Sequence, residues 1–227
     1  MKVEHEFPHD TLSYTQGLFF DGDRFYETAG QYGESRLMEV DLESGMQLRQ
    51  SCIEKEIFAE GSCAIGDNIY VLTWLEGLCL VYDKNTLMRS GQFVNNRQGW
   101  GLTTDGRLLI MSDGSAQIYF VSPKTFTVVR SVTVRMGDKS VNYLNELEYI
   151  NGKIWANVYT KDEIVIFDPS TGEVEGVVDC RGLLPKEKRT ARTDVLNGIA
   201  YDQSTDGVYV TGKYWPLMYR ISLVEKK

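Results

Sequence analysis

Glu60, Lys213, Gln16 and the asparagines Asn145 and Asn197 are residue types that move protons or hold a carbonyl group, and they recur with a pattern. Gln16, Glu60, Trp100, Asn145–Glu146 and Asn197 each open a copy of the same short motif: a polar or aromatic residue, an apolar strand, a turn and a second strand. The copies are QGLFFDGDRFYET, EGSCAIGDNIYVLT, WGLTTDGRLLIMS, ELEYINGKIWANVY and NGIAYDQSTDGVYVT, and only the opening position changes character. The ends of the second strands supply Gly30, Trp74, Asp113, Tyr159 and Lys213. If both sets converge, they form a shallow bowl of aromatics, acids, amides and one lysine, the mix suited to a small ligand held by a few polar anchors. Phe58 and Tyr14 precede two of the openings and are placed to line its wall. A carboxyl among such rings loses solvation, which raises its pKa and suits Glu60 to acid–base work.

Each of these residues has a plainer reading. The tryptophans pack between sheets, Glu60 caps a backbone amide, and Lys213 is a solvated charge. Two tryptophans at matching ends of neighbouring units weigh against the first, and the Tyr-Trp-Pro that follows Lys213 weighs against the last. Glu146 and Glu148 flank Leu147 and share one strand face, so Glu146 is expected to tie units together through backbone amides. Trp155 is expected in the core.

The elements that bring such residues together are strands. A strand-built repeat of roughly 40–50 residues is the signature of a β-propeller blade. Each unit continues with a second pair of strands, joined by turns such as DLESG, DKNT, SPKT and DPSTG. The expected fold is therefore all-β: a five-bladed β-propeller with four antiparallel strands per blade, a single domain over residues 1–227, with blades starting near 16, 60, 100, 146 and 197. The fifth unit has no fourth strand of its own, and residues 2–7 are expected to supply it and close the ring. The stretch 181–193 reads as a solvated loop with room for one helical turn.

Composition narrows the function. A net charge of −8 disfavours nucleic acid as a partner, and no apolar run is long enough to span a bilayer. Residues 1–10 lack an apolar stretch of signal-peptide length, so the chain is expected either to be cytosolic or to have lost a leader; its compartment stays open. The only histidines are His5 and His9, which leaves no set for a His-based zinc or a Ser-His-Asp triad. Cys52, Cys63, Cys79 and Cys180 contain no CxxC pair and read as small apolar residues.

Long segments carry a resemblance: PHDTLSYTQGLFFDG, YETAGQYGESRLMEVDLESG, FAEG, LTWLEG, GWGLTTDGRLLIMSDGSA, LNELEYINGKIWANVY, DVLNGIAYD and TGKYWP. In these segments, spanning about residues 8–221, the chain resembles the plant- and bacterial-type glutaminyl cyclases (glutaminyl-peptide cyclotransferases). The resemblance implies a five-bladed propeller that converts the N-terminal glutamine of a peptide or protein to pyroglutamate, releasing ammonia without a catalytic metal. It implies Glu60 as the acid/base, Asn145 as the amide that holds the reacting carboxamide, and Lys213 as the pocket lysine. Gln16 would contact substrate, Trp74 and Trp100 would be aromatic walls, and Tyr159, Phe58 and Tyr14 would complete the pocket. The chain departs from the family pattern at Tyr159 (usually Trp), Tyr14 (often Phe), Ser62–Cys63 (usually Leu-Thr) and Gln98 (commonly an acid). No cofactor is expected for catalysis, an axial calcium held by carbonyl oxygens is compatible with the architecture, and the expected state is a monomer. Two rivals remain at this level. One is a metal-dependent lactonase or esterase using Glu60, Asn145, Asn197 and Asp113; the other is a non-catalytic interaction propeller.

Overall fold

A computed structural model describes residues 1–224. In chain order the strands are β1 (Lys2–Pro8), β2 (Thr15–Asp21), β3 (Arg24–Ala29), β4 (Arg36–Val40), β5 (Gln47–Cys52), β6 (Ala59–Ile65), β7 (Asn68–Thr73), β8 (Leu78–Asp83) and β9 (Arg89–Val94). They continue with β10 (Leu102–Thr104), β11 (Leu109–Ser112), β12 (Gln117–Val121), β13 (Val128–Thr133), β14 (Arg135–Met136), β15 (Lys139–Ser140), β16 (Leu144–Ile150), β17 (Lys153–Val158), β18 (Glu163–Phe167) and β19 (Val174–Asp179). The last three are β20 (Leu196–Asp202), β21 (Gly207–Gly212) and β22 (Leu217–Ser222).

Five four-stranded antiparallel sheets form the blades of a propeller: β2–β5, β6–β9, β10–β13, β16–β19, and β20–β22 completed by β1. The innermost strands β2, β6, β10, β16 and β20 neighbour one another around the axis, and β20 returns to β2. These strands lie between two blades and are buried along most of their length, whereas outer strands such as β5 and β9 alternate or face water. The core is divided accordingly into five apolar clusters, each between adjacent blades, with Tyr26 and Tyr82 in one and Phe120 and Phe167 in another. Asn151 and Gly152, at φ 48° and 83°, make the hairpin turn after β16, where both central residues need the left-handed region that Asn-Gly tolerates.

The expected N-terminal strand pairs with β22, from Lys2↔Ser222 to Pro8↔Leu217. Just beyond it, His9 is pinned on both ring nitrogens, by the Trp215 carbonyl at 2.7 Å and by Glu27 at 3.2 Å. Ser13 and Thr15 donate to the same Glu27 oxygen at 2.6 and 2.7 Å. Burial opposes an imidazolium here, yet the Glu27 carboxylate holds the His9 pKa above its ordinary value. The reverse holds for Glu27: burial penalises its charge, and His9 with the two hydroxyls brings its pKa below the ordinary carboxylate value.

Details differ from the sequence reading. A short hairpin, β14–β15, follows the third blade and had no signal in the repeat. The 181–193 segment holds a single 3-10 turn at Lys186–Lys188. Trp155 lies in the core as expected, and Cys63 and Cys79 pack unbonded in one cluster. Glu146, in the fourth blade, accepts the Ile199 amide of the fifth blade at 2.8 Å and the Leu18 amide of the first at 3.4 Å, tying the three inner strands together.

Candidate active site

In four inner strands the ladder breaks at the same place: between Thr15 and Gly17, Ala59 and Ser62, Leu144 and Leu147, and Leu196 and Ile199. Gln16, Glu60, Asn145 and Asn197 sit in these bulges, which turn a side chain away from the ladder. Trp100 occupies the matching position ahead of β10. The fourth unit therefore aligns through Asn145, one residue before the Glu146 that opens its motif. In the other units a glycine follows. A Cβ on Gly17 would lie 2.5 Å from the Ser62 amide nitrogen, and one on Gly101 would collide with the Asn145 carbonyl. At Gly17, Gly61 and Gly101 the backbone of the next inner strand leaves no room for a side chain.

A second ring follows the next strands out. Trp74, Tyr159 and Lys213 directly follow β7, β17 and β21, and the pairing registers make Gly30 and Gly114 their counterparts. A Cβ on Gly30 would lie 2.5 Å from the Phe58 ring, and one on Gly114 2.6 Å from the Trp100 indole. Two side chains are missing so that two aromatic rings can fit. Asp113, chosen from sequence for this ring, is displaced by one residue. It accepts from Ser115 at 2.5 Å and Tyr119 at 3.0 Å and does not line the pocket. Asn197 lies beneath the floor, donating to the Thr15 carbonyl and to Gln16 Oε1 at 2.8 and 3.2 Å.

The remaining predicted residues converge. Tyr14, Gln16, Phe58, Glu60, Trp74, Trp100, Asn145, Tyr159 and Lys213, together with Gln31, line a pocket of about 190 Å³. Gln31 was missed by the sequence reading; it directly follows Gly30 and holds a left-handed φ of 104°, a conformation a lone sequence does not reveal. The rim is a closed belt. Tyr14 meets Phe58 edge-on at 6.0 Å, and Phe58 meets Trp74 at 5.6 Å. Trp74 and Trp100 both donate to Gln98 Oε1, at 3.2 and 3.1 Å. Trp100 meets Tyr159 at 5.6 Å, and the Lys213 ammonium stands 5.2 Å from the Tyr159 ring centre and 4.5 Å from that of Tyr14.

At the floor are Glu60 and Asn145, both almost completely buried. The Asn145 Oδ1 atom is buried without a partner among the described residues, an unmet hydrogen-bonding capacity in a ligand pocket. Because Gln16 Oε1 is taken by Asn197, its NH2 end is the part left to donate. Burial raises the Glu60 pKa well above the usual carboxylate range; Lys213 opposes the shift and Glu76 adds to it. Burial lowers the Lys213 pKa, opposed by Glu60 and Asp194. The arrangement offers a buried carboxyl that holds its proton more tightly than a solvated one, amide donors beside it, and an aromatic enclosure. Among the described residues no group of three or more His, Cys, Asp or Glu side chains is placed to hold a metal ion.

Comparison with known proteins agrees with this geometry. A model of the glutamine cyclotransferase family matches residues 1–223. A glutaminyl-peptide cyclotransferase of Arabidopsis thaliana is 39% identical over 229 residues, covering 98% of this chain and 71% of the relative. The crystal structure of Myxococcus xanthus glutaminyl cyclase superposes with a TM-score of 0.90 at 33% identity, covering 96% of this chain and 94% of that one. The WD40 propeller domain of Doa1, at 12% identity and a TM-score of 0.55, shares the fold alone, over 92% of this chain and 63% of that one.

Proposed function

The chain belongs to the glutamine cyclotransferase family, and from its site we propose how this glutaminyl-peptide cyclotransferase closes an N-terminal glutamine to pyroglutamate with release of ammonia. The observation that carries the proposal is a buried carboxyl, Glu60, at the floor of a small aromatic-walled pocket. Nucleophile and electrophile belong to the same glutamine, so the reaction needs its side chain folded back. Holding that conformer is an entropic contribution that can reach several kcal/mol, about 7–11 in well-oriented systems. Trp74, Trp100 and Tyr159 enclose a volume suited to that task.

The α-amine attacks only when neutral, and its free pKa is about 7.7–8.0. Glu60 takes a proton from the amine as the new C–N bond forms at the γ-carboxamide carbon, whose carbonyl electrons move onto oxygen. Gln16 and Asn145 donate to that oxygen as its charge grows. As the carbonyl re-forms, the C–N bond to the amide nitrogen breaks and Glu60 returns the proton, so that ammonia departs and the carboxylate is restored. Such transfer contributes about 10²–10⁴-fold. Lys213 is assigned to keeping Glu60 ionised between turnovers.

In this route every proton is relayed, and every hydrogen bond made, by side chains, so no cofactor is assigned, and dialysis against a chelator is expected to leave the rate unchanged. One chain supplies the whole pocket, so a monomer is the proposed active unit. The direct test is ammonia release from a Gln-initiated dipeptide. No ammonia from the wild-type protein would overturn the reading.

A further inference from the structure

We infer that Gln98, which no substrate-contacting role singles out, is a positioning residue that fixes the two indole walls relative to each other. The inference rests on the cyclotransferase reading of the pocket. Trp74 and Trp100 come from neighbouring blades, and no ring contact joins them directly; their link is one oxygen, Gln98 Oε1, which accepts both indole N–H groups at 3.2 and 3.1 Å. Every other link around the pocket rim is a ring–ring contact or the Lys213 ammonium facing a tyrosine ring. Such contacts tolerate sliding, whereas two hydrogen bonds to one atom set direction as well as distance.

The backbone explains why this glutamine can do so. The Gly99 amide donates to the Thr73 carbonyl at 3.0 Å, and a Cβ on Gly99 would lie 2.6 Å from the Leu72 Cβ. The turn before Trp100 is thereby pressed against the end of the strand that precedes Trp74. Gln98 is left between the two indoles, on their outer side. A carbonyl oxygen has two lone pairs, and both are used here. The amide is therefore held in one orientation even though Gln98 is exposed.

A leucine at 98 keeps the bulk and loses the acceptor, while a glutamate keeps an acceptor oxygen in the same place. Gln98→Leu is expected to lower kcat/KM on a Gln-initiated dipeptide about 5- to 20-fold, the loss of two partly solvated hydrogen bonds. It should also red-shift the indole emission and increase its quenching by acrylamide, with the melting temperature nearly unchanged. Trp155 and Trp215, both buried, provide a constant background. Gln98→Glu is expected to restore kcat/KM and emission to within about threefold of wild type. Unchanged kcat/KM and emission in Gln98→Leu overturn the clamp, as does a Gln98→Glu variant as impaired as the leucine. Failure of the underlying reading is distinguishable, because it removes wild-type turnover and leaves the emission measurement intact.

Discussion

Glu60 and Lys213 reach the same pocket from the second and fifth blades, and each biases the other's charge without forming an ion pair. Among the described residues neither the carboxyl nor the ammonium has a hydrogen-bond partner. Titratable groups so placed bias each other mainly through the low-dielectric space between them, which is the space the substrate would fill. The pocket is thus electrostatically set up in advance, with its acid–base group free of competing bonds.

Replacing Glu60 by glutamine removes the proton carrier. Turnover is expected to fall at least about 10²-fold, measured as ammonia release, with the circular dichroism unchanged. The sign of the stability effect follows from the raised pKa. A carboxyl that binds its proton more tightly in the fold favours the fold while protonated there, and that advantage is lost as pH rises from the unfolded toward the folded value. The variant should therefore melt at or above the wild-type temperature at pH 8, and the difference should shrink toward pH 4.

Glu76 and Lys213 push Glu60 in opposite directions. Tyr14 and Tyr159 also face this part of the pocket, and Tyr32 holds Glu76 through a 2.9 Å hydrogen bond. If the ionised carboxyl is the base, the acid limb of kcat should move to lower pH in Glu76→Gln and to higher pH in Lys213→Met. A shift in the same direction for both variants would contradict the assignment.

The His9–Glu27 pair ties the closing strand to the first blade. Breaking a buried pair by removing one partner typically costs about 3–5 kcal/mol, so His9→Gln should lower the melting temperature substantially. The His9 contribution is complete below its unfolded pKa and disappears as pH rises through the raised folded value. The Glu27 contribution is complete above its unfolded pKa and disappears as pH falls through the lowered folded value. Wild type and variant should thus differ most between these windows, and the gap seen in thermal melts should narrow on both sides.

Gly114 has φ 81° and leaves the space occupied by the Trp100 indole. Gly114→Ala is expected to cost about 1–2 kcal/mol in backbone strain and to displace that ring, raising KM for a Gln-peptide more than it changes thermal stability. Gly22 has a similar φ of 64° but open space around it, so Gly22→Ala separates strain from displacement.

The sequence exposed the repeat because β-strands joined by Asp-Gly and Asn-Gly turns have a period, and the residues that break the pattern at Gln16, Glu60 and Trp100 stood out against it. Asn145 and Asp113 show the limit. Bulges and turns shift register by one residue, so counting along a motif put the fourth copy at Glu146 and selected Asp113 in place of Gly114. Gln31 depends on a backbone angle, and Gln98 on two indoles brought together from separate blades. Neither carries a local pattern. The β14–β15 hairpin lies outside the repeat and escaped for the same reason.

The glycines that follow Gln16, Glu60 and Trp100 have a consequence for how this pocket can diverge. The floor is bolted to the spacing of the blades, so a new side chain there would have to carry a whole sheet with it. The positions after β7, β17 and β21 face no such constraint, since tryptophan, tyrosine and lysine already occupy them in turn. Retuning for other substrates is therefore channelled to the upper wall, while the proton-handling floor stays fixed by geometry.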